Sequence, residues 1–339
     1  MFWFAFASLL PALSLGAAGL WGGGWIWGAL AAITLCPAGM DGLWPQPRTW
    51  GQAGPAPHRA ERLLAGLALA HLALVPVMIR AISMAHDPVG GVGLALAWGM
   101  FMGQIAHPAA HELIHRPSRR LRWLGRAVYT AMLFGHHGSA HLKVHHVAVA
   151  TPDDPNSPRR GEGFYRFWAR AWWGSFVAGW RAERRDRARR ARPGPLWRQA
   201  YVGYVGGAMA VLALAWGLAG IRGVGVLMAV AGYAQMQILL ADYVQHYGLQ
   251  RRRIQGRYEP VGPQHSWNAR PWYSGAMMLN APRHSDHHQN PGRVFPELRL
   301  SASKMPMLPR SMPVMCALAL VPPLWRRVMD PRAAVWRLR

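Results

Sequence analysis

The sequence predicts an all-α integral membrane protein with about six transmembrane helices and a histidine-rich metal cap on the cytoplasmic side. Three observations predict it. Six apolar segments, 1–20, 21–40, 62–84, 90–106, 201–220 and 223–241, are each about long enough to cross the ~30 Å hydrocarbon core of a bilayer. Thirty-six of the 38 lysines and arginines fall in segments that would share one face of the membrane. Nine of the 16 histidines form four clusters, 111–115, 141–146, 246 and 284–288, which follow the fourth and sixth apolar segments.

Each element has its own signal. Segment 1–20 lacks a basic start and runs straight into a second apolar stretch, so it is expected to be a retained span rather than a cleaved signal peptide. Gly22-Gly23-Gly24 can reverse the chain into the second span, and Asp87-Pro88 with Gly90-Gly91 does the same between the third and fourth. Glycine is frequent in these segments, as membrane helices allow. The last forty residues, punctuated by Pro306, Pro309, Pro313, Pro322 and Pro323, read as an extended tail with a short apolar patch, not a seventh span. The whole of 1–339 reads as one membrane-bound domain.

Charge orients the spans. With the N-terminus cytoplasmic, the loop 41–62, the stretch 116–198 and everything after Ala241 lie on the same side; only Arg80 and Arg222 lie opposite. The net charge of +24 then reflects topology and requires no nucleic acid. The run Arg181–Arg198, with Trp172, Trp173, Trp180 and Trp197 around it, suits an anionic leaflet better than phosphodiester backbone. A multi-pass protein of the cell's inner (cytoplasmic) membrane, with its metal site on the cytoplasmic side, is the expectation. The two cysteines, Cys36 and Cys316, can build neither a disulfide framework nor an iron–sulfur site, so redox chemistry here would need electrons from another protein.

Within the clusters, His111 and His115 are four apart, as are His141 and His145, while His284 stands three and four residues before His287 and His288. Such spacing puts rings on one side of a helix, and one turn could aim all three of the last cluster at a common point. Nine imidazoles exceed what one ion accepts, which points to two metals. His111-Glu112-Leu113-Ile114-His115 also fits the HExxH pattern of zinc proteases, but that chemistry would leave the remaining clusters without a role. A metal transporter would place its ligands within the spans rather than at their ends. All-imidazole ligation without thiolate suits iron that activates dioxygen. Glu112, Asp242 and Asp286, interleaved with the histidines, are candidates for fixing the ring tautomers.

The segments His111–Arg116, His145–Pro155, Asp242–Gly248 and Arg283–Pro291 resemble the motifs of membrane-bound alkane 1-monooxygenases, which group with xylene monooxygenases and membrane fatty acid desaturases. The resemblance runs from about Met102 to Pro291 and is supported by Gly161–Tyr165, which adds Glu162 to the candidate acids, and by His265–Asn268. It implies a non-haem di-iron site with two Fe ions held by His111, His115, His141, His145, His146, His246, His284, His287 and His288, and no further catalytic residue. It also implies O2 as co-substrate, an apolar substrate drawn from the lipid, and a rubredoxin or ferredoxin-type electron donor with its reductase. The activity implied is hydroxylation, above all of an alkane's terminal methyl; a fatty acyl desaturase shares the same boxes and is the alternative. The sequence departs from the family pattern at Ala140 and Gln245, where glutamate is usual, and in carrying His136 and His137 just upstream of the second box.

Overall fold

The computed structural model describes residues 1–46, 57–192 and 194–337, so part of the loop expected between the second and third spans lies outside the described residues. The first apolar segment forms α1 (Phe2–Trp21), and Gly22 and Gly23, both at positive φ, turn the chain into α2 (Gly24–Ile33). The second expected span is not one helix. α2 gives way at Thr34 to α3 (Leu35–Leu43), the two inclined at 41°. Thr34 donates its hydroxyl to the Leu30 carbonyl at 2.6 Å, and Pro37 has no N–H to continue the ladder, which accounts for the break.

α4 (Pro57–Ser83) is the third span, and α5 (Pro88–Phe101) begins the fourth under an Asp87 carboxylate that accepts from the Val89 and Gly90 N–H groups. The fourth does not stop at residue 106 as expected. A π-turn, Met102–Ala106, carries it into α6 (His107–Ile114), making one helix of 27 residues. The protein is thus a helical membrane protein. Among the described residues four helices are long and apolar enough to span, or five if the bent α2–α3 pair counts as one span.

The last of the four, which we call the long helix, runs Ala200–His246 and contains both remaining expected spans. It is interrupted at Ala219 and Gly220, the latter at φ 57° and ψ −146°. Residues 215 and 223 would lie about 12 Å apart on a straight helix. Here a Cβ on Gly223 would lie 2.2 Å from the Ala215 carbonyl oxygen, so the two arms fold against each other.

The polar half is assembled on these helices. α7 (Arg119–Ala131), capped by Ser118, packs against α6 so closely that a Cβ at Gly125 would lie 2.8 Å from the Ala110 carbonyl oxygen. Then come α8 (His137–Ala140), a second π-turn (His141–His145), α9 (His146–Ala148) and α10 (Phe164–Ala188). The long helix counts as α11, and beyond it a two-stranded hairpin pairs β1 (Arg253–Ile254) with β2 (Arg257–Tyr258). α12 (Trp272–Met277) starts under the Asp41 carboxylate of α3, which accepts from the Tyr273 and Ser274 N–H groups at 2.8 and 3.2 Å. α13 (His284–Gln289) follows.

The tail is not extended, contrary to expectation. Its residues form α14 (Met312–Ala319) and α15 (Pro322–Arg337), neither of them among the candidate spans. Pro313, Pro322 and Pro323 stand in first helical turns, where a missing N–H costs nothing, so they start helices rather than prevent them. Trp325, Met329 and Ala333 of α15 are fully buried, and Tyr247 donates to Asp330 at 2.6 Å. Phe2, Leu13, Trp25, Trp27, Met209, Trp216 and Ile221 project outward from the spans, as lipid-facing residues should.

Candidate metal centre

Four helices and a π-turn bring the histidine clusters together where the spans meet the polar half. α6 carries His111, with His115 at its end, and α11 ends on His246. The second π-turn and α9 carry His141, His145 and His146, and α13 carries His284, His287 and His288. The nine sort into two groups: His111, His115, His141, His146 and His287 form one, and His145, His246, His284 and His288 the other. Within each, one ring nitrogen per residue lies within 4.8 Å of all the others.

The sorting differs from simple helical spacing in two places. In a π-turn the bonds run i to i+5, so residues five apart align. His141 therefore meets His146, Nε2 to Nε2 at 2.9 Å, and His145 falls into the other group. Nor does α13 aim its three rings at one point. His284 and His288, four apart, face each other at 3.0 Å, while His287 sits on the adjoining side and faces His146 at 3.2 Å. The groups abut, with ring centroids of His146 and His288 4.5 Å apart and those of His141 and His145 5.2 Å apart.

These contacts suit metal ligation better than mutual hydrogen bonding. Ligand nitrogens about 2.1 Å from a common centre sit about 3.0 Å from their right-angle neighbours. The Nε2 pairs His111–His141, His246–His284 and His288–His284 are 2.8, 3.0 and 3.0 Å apart. His141 Nε2 is approached by two other Nε2 atoms at once, and the buried Nε2 atoms of His115 and His145 have no hydrogen-bond partner. Burial, and then neighbouring imidazoles, hold His141, His146, His284, His287 and His288 well below the ordinary histidine pKa. The rings are neutral and can donate lone pairs.

The acids picked out in the sequence do other work. Glu112 is clasped by Arg116 at 3.4 Å and accepts from the Phe295 N–H at 3.2 Å, so it stands as a buried anchor and not as the free base that an HExxH protease needs. Asp286 is forked by Arg293 and accepts from Asn290 and the Arg299 N–H, which fixes the turn after α13. Glu162 is gripped by Arg170 through two bonds of 2.9 Å. Asp242 accepts from Asn156 at 2.6 Å.

Among the described residues, the carboxylate that does meet one of the nine rings is Asp154, whose Oδ2 lies 2.8 Å from His145 Nδ1. Burial pulls the His145 imidazole down, but this carboxylate more than offsets it and raises the ring above its ordinary value. Asp154 was not singled out from the sequence. Its signal was present in Thr151-Pro152-Asp153-Asp154-Pro155, a rigid turn placed directly behind the second cluster. The His265–Asn268 segment contributes too. His246 Nδ1 faces the His265 carbonyl at 3.4 Å, and Asn268 bonds both the side chain and the N–H of Ser285, tying down α13.

A cavity of about 40 Å³ opens beside both groups, lined by Pro108, Met278, Ala281, Pro282 and Met312 together with His107, His111, His137, His141, Asp242 and His284. His107 pairs with the Tyr129 hydroxyl at 3.0 Å, and His137 stacks on His141 with centroids 5.2 Å apart. His136 faces away, packed among Phe134, Trp172 and Phe176. Gln245 donates to the Ala281 carbonyl at 3.0 Å, and Ala140 packs against Gly179, where an added Cβ would lie 3.1 Å from the Ala140 Cβ.

Comparison with known proteins places this architecture. Residues 88–315 match the family model of fatty acid desaturases. Alkane 1-monooxygenase 2 of Pseudomonas aeruginosa is 35% identical over 252 residues, 74% of this chain and 66% of that protein. Its counterpart in Alcanivorax borkumensis is 32% identical over 73% of this chain and 65% of its own length. The chain thus spans just under two thirds of the length of these two relatives. Alkane 1-monooxygenase 1 of Pseudomonas aeruginosa is 32% identical over 78% of this chain and 72% of that protein. With four histidine boxes converging at the ends of apolar helices, and with these relatives, the chain belongs to the fatty acid desaturase family, in its alkane 1-monooxygenase branch.

Proposed function

We propose that the protein is a non-haem di-iron monooxygenase that hydroxylates an unactivated C–H bond of an apolar substrate, in the first place the terminal methyl of an alkane. The observation that carries this reading is the sorting of nine imidazoles into adjoining groups of five and four, in a chain related to proteins named alkane 1-monooxygenases. Each group would hold one iron, for which an all-nitrogen, thiolate-free set is suited. A pair of irons, when bound, activates dioxygen and supplies the oxygen atom for insertion into the C–H bond.

The chain's own residues prepare the site. Asp154 keeps the proton of His145 on Nδ1 and leaves Nε2 as the donor; the His265 carbonyl does the same for His246. Met278, Ala281, Pro282 and Met312 give the cavity beside the groups an apolar wall that excludes water and receives a hydrocarbon end. Two free cysteines, Cys36 and Cys316, are too few to hold an iron–sulfur site, so electrons would come from a rubredoxin or ferredoxin-type protein and its reductase. The charge distribution supports placing the centre at the cytoplasmic face of the inner membrane.

The test is metal analysis of the purified full chain, together with cells expressing it that are fed an alkane, an alkylbenzene and a fatty acyl lipid. About two irons per chain and a terminal alcohol are expected, from the two groups and the family chemistry. Zinc or no transition metal, or a new double bond without an alcohol, would overturn the reading.

A further inference from the structure

A cleft of about 1220 Å³ lies away from the cavity beside the metal centre, between α7 and the connection from α10 to α11. It exceeds the roughly 300–1,000 Å³ of ordinary small-molecule pockets. Its two ends differ in chemistry. Eight arginine and lysine side chains line it against one acid, Glu183, and that acid is already engaged by Lys143 at 2.9 Å and by Ser139 at 2.6 Å. Arg126, on the inner side of α7, has a buried Nε without a hydrogen-bond partner. The opposite end is walled by Leu72 of α4, Ala131 of α7, and Gly207 and Val211 of α11, residues that descend along the spans. Trp123 and Trp197 stand at the rim with 58% and 66% of their surface exposed, the habit of indoles at a membrane interface.

We propose that this cleft binds one anionic glycerophospholipid, its phosphate among Arg126, Arg190 and Arg198 and its acyl chains along Leu72 and Val211. A cationic end at headgroup level joined to an apolar end at span level matches that amphiphile. A free phosphate would use only the first, and the convex face of an acidic protein could not reach the second. The surplus cations attract an anionic headgroup over a zwitterionic one. Lys143 lies within the π-turn that carries His141 and His145, and its ammonium bridges to Glu183 and Asp186, so the headgroup site backs directly onto the turn that presents two of the histidines.

The test is native mass spectrometry of the full chain in detergent, titrated with phosphatidylglycerol and with phosphatidylcholine of the same acyl chains. One phosphatidylglycerol per chain should bind in clear preference. The double variant Arg126→Gln/Arg190→Gln should weaken it roughly thirtyfold, and Val211→Trp, which fills the apolar end and leaves every charge in place, should weaken it as well. Arg253→Gln in the distant hairpin should not. If the Arg126 variant fails to fold, Arg190→Gln/Arg198→Gln alters only exposed positions and should show the same roughly thirtyfold loss. Equal binding of the two lipids, displacement of phosphatidylglycerol by millimolar inorganic phosphate alone, or normal binding by Val211→Trp would each overturn the proposal.

Discussion

Asp154→Asn is the change that tests the metal centre most sharply. The carboxylate is 1% exposed; Oδ2 accepts from the Ser157 hydroxyl at 2.7 Å and pairs with His145 Nδ1 at 2.8 Å, while Oδ1 accepts from the Asn156 N–H at 3.0 Å. An amide keeps the shape but offers one acceptor and one donor end. If its NH2 takes the Oδ2 place, it confronts His145 Nδ1, and the ring must move its proton to Nε2, the atom aimed at the other three histidines. If its oxygen takes that place, NH2 confronts the Asn156 N–H in a buried turn. Loss of such a carboxylate–histidine support costs about 10- to 100-fold in metal affinity, or about 1.4–2.8 kcal/mol. The loss should fall on the group of four, not the group of five. Competition with a graded chelator, read as metal per chain, should show one of two ions leaving early. Two ions held with wild-type affinity would refute the assignment of Asp154 as the support of His145.

Other changes separate further parts of the argument. His284→Ala and His287→Ala should each lower metal content by about one ion and the double variant should lose both, whereas a single shared site would leave the double variant with one. Gly220→Ala should lower the thermal midpoint in detergent through a backbone cost of roughly 1–3 kcal/mol, because no atom lies within 4 Å of the added methyl and only φ and ψ are violated; an unchanged midpoint would deny the break in α11. Burial pushes the Glu162 carboxyl up, but Arg170 and the Arg159 N–H outweigh it and leave it below the ordinary range. Because the folded value is the lower one, this clasp contributes fully at neutral pH and is lost as pH falls below about 4. Glu162→Gln should therefore flatten the acid limb of the stability profile, and an identical limb in both proteins would remove Glu162 from that role.

Much of this was legible in the sequence because hydropathy and charge act through composition. The apolar segments become the spanning helices, and the nine histidines converge as their number and flanking motifs suggested. What could not be read is geometry that depends on hydrogen-bond register. Thr34 breaks the second span through its own side chain, and Met102–Ala106 and His141–His145 are apolar or basic runs with no mark of a π ladder. Spacing rules built on 3.6 residues per turn therefore assigned His145 to its neighbour's side. The tail is helical rather than extended because proline stops a helix only in its interior, and Pro313, Pro322 and Pro323 occupy positions where it starts one. Glu112 and Asp286 lie between ligand positions in sequence, yet helical geometry turns them outward to Arg116 and Arg293, while Asp154, nine residues past His145, folds back onto it.

The second π-turn has a consequence for how such a chain can change. A ladder closing over five residues holds one more residue than its α-helical neighbour, at some loss of helix stability. Were the ordinary ladder to take over 141–145 with no residue removed, the helix would be sturdier, but every later side chain would swing by about 100° around the axis. The two separated sets of rings would fall out of phase. Substitutions that favour the ordinary ladder can thus raise stability here, and selection for activity must keep rejecting them, so at this turn a weaker hydrogen-bond register is itself under constraint.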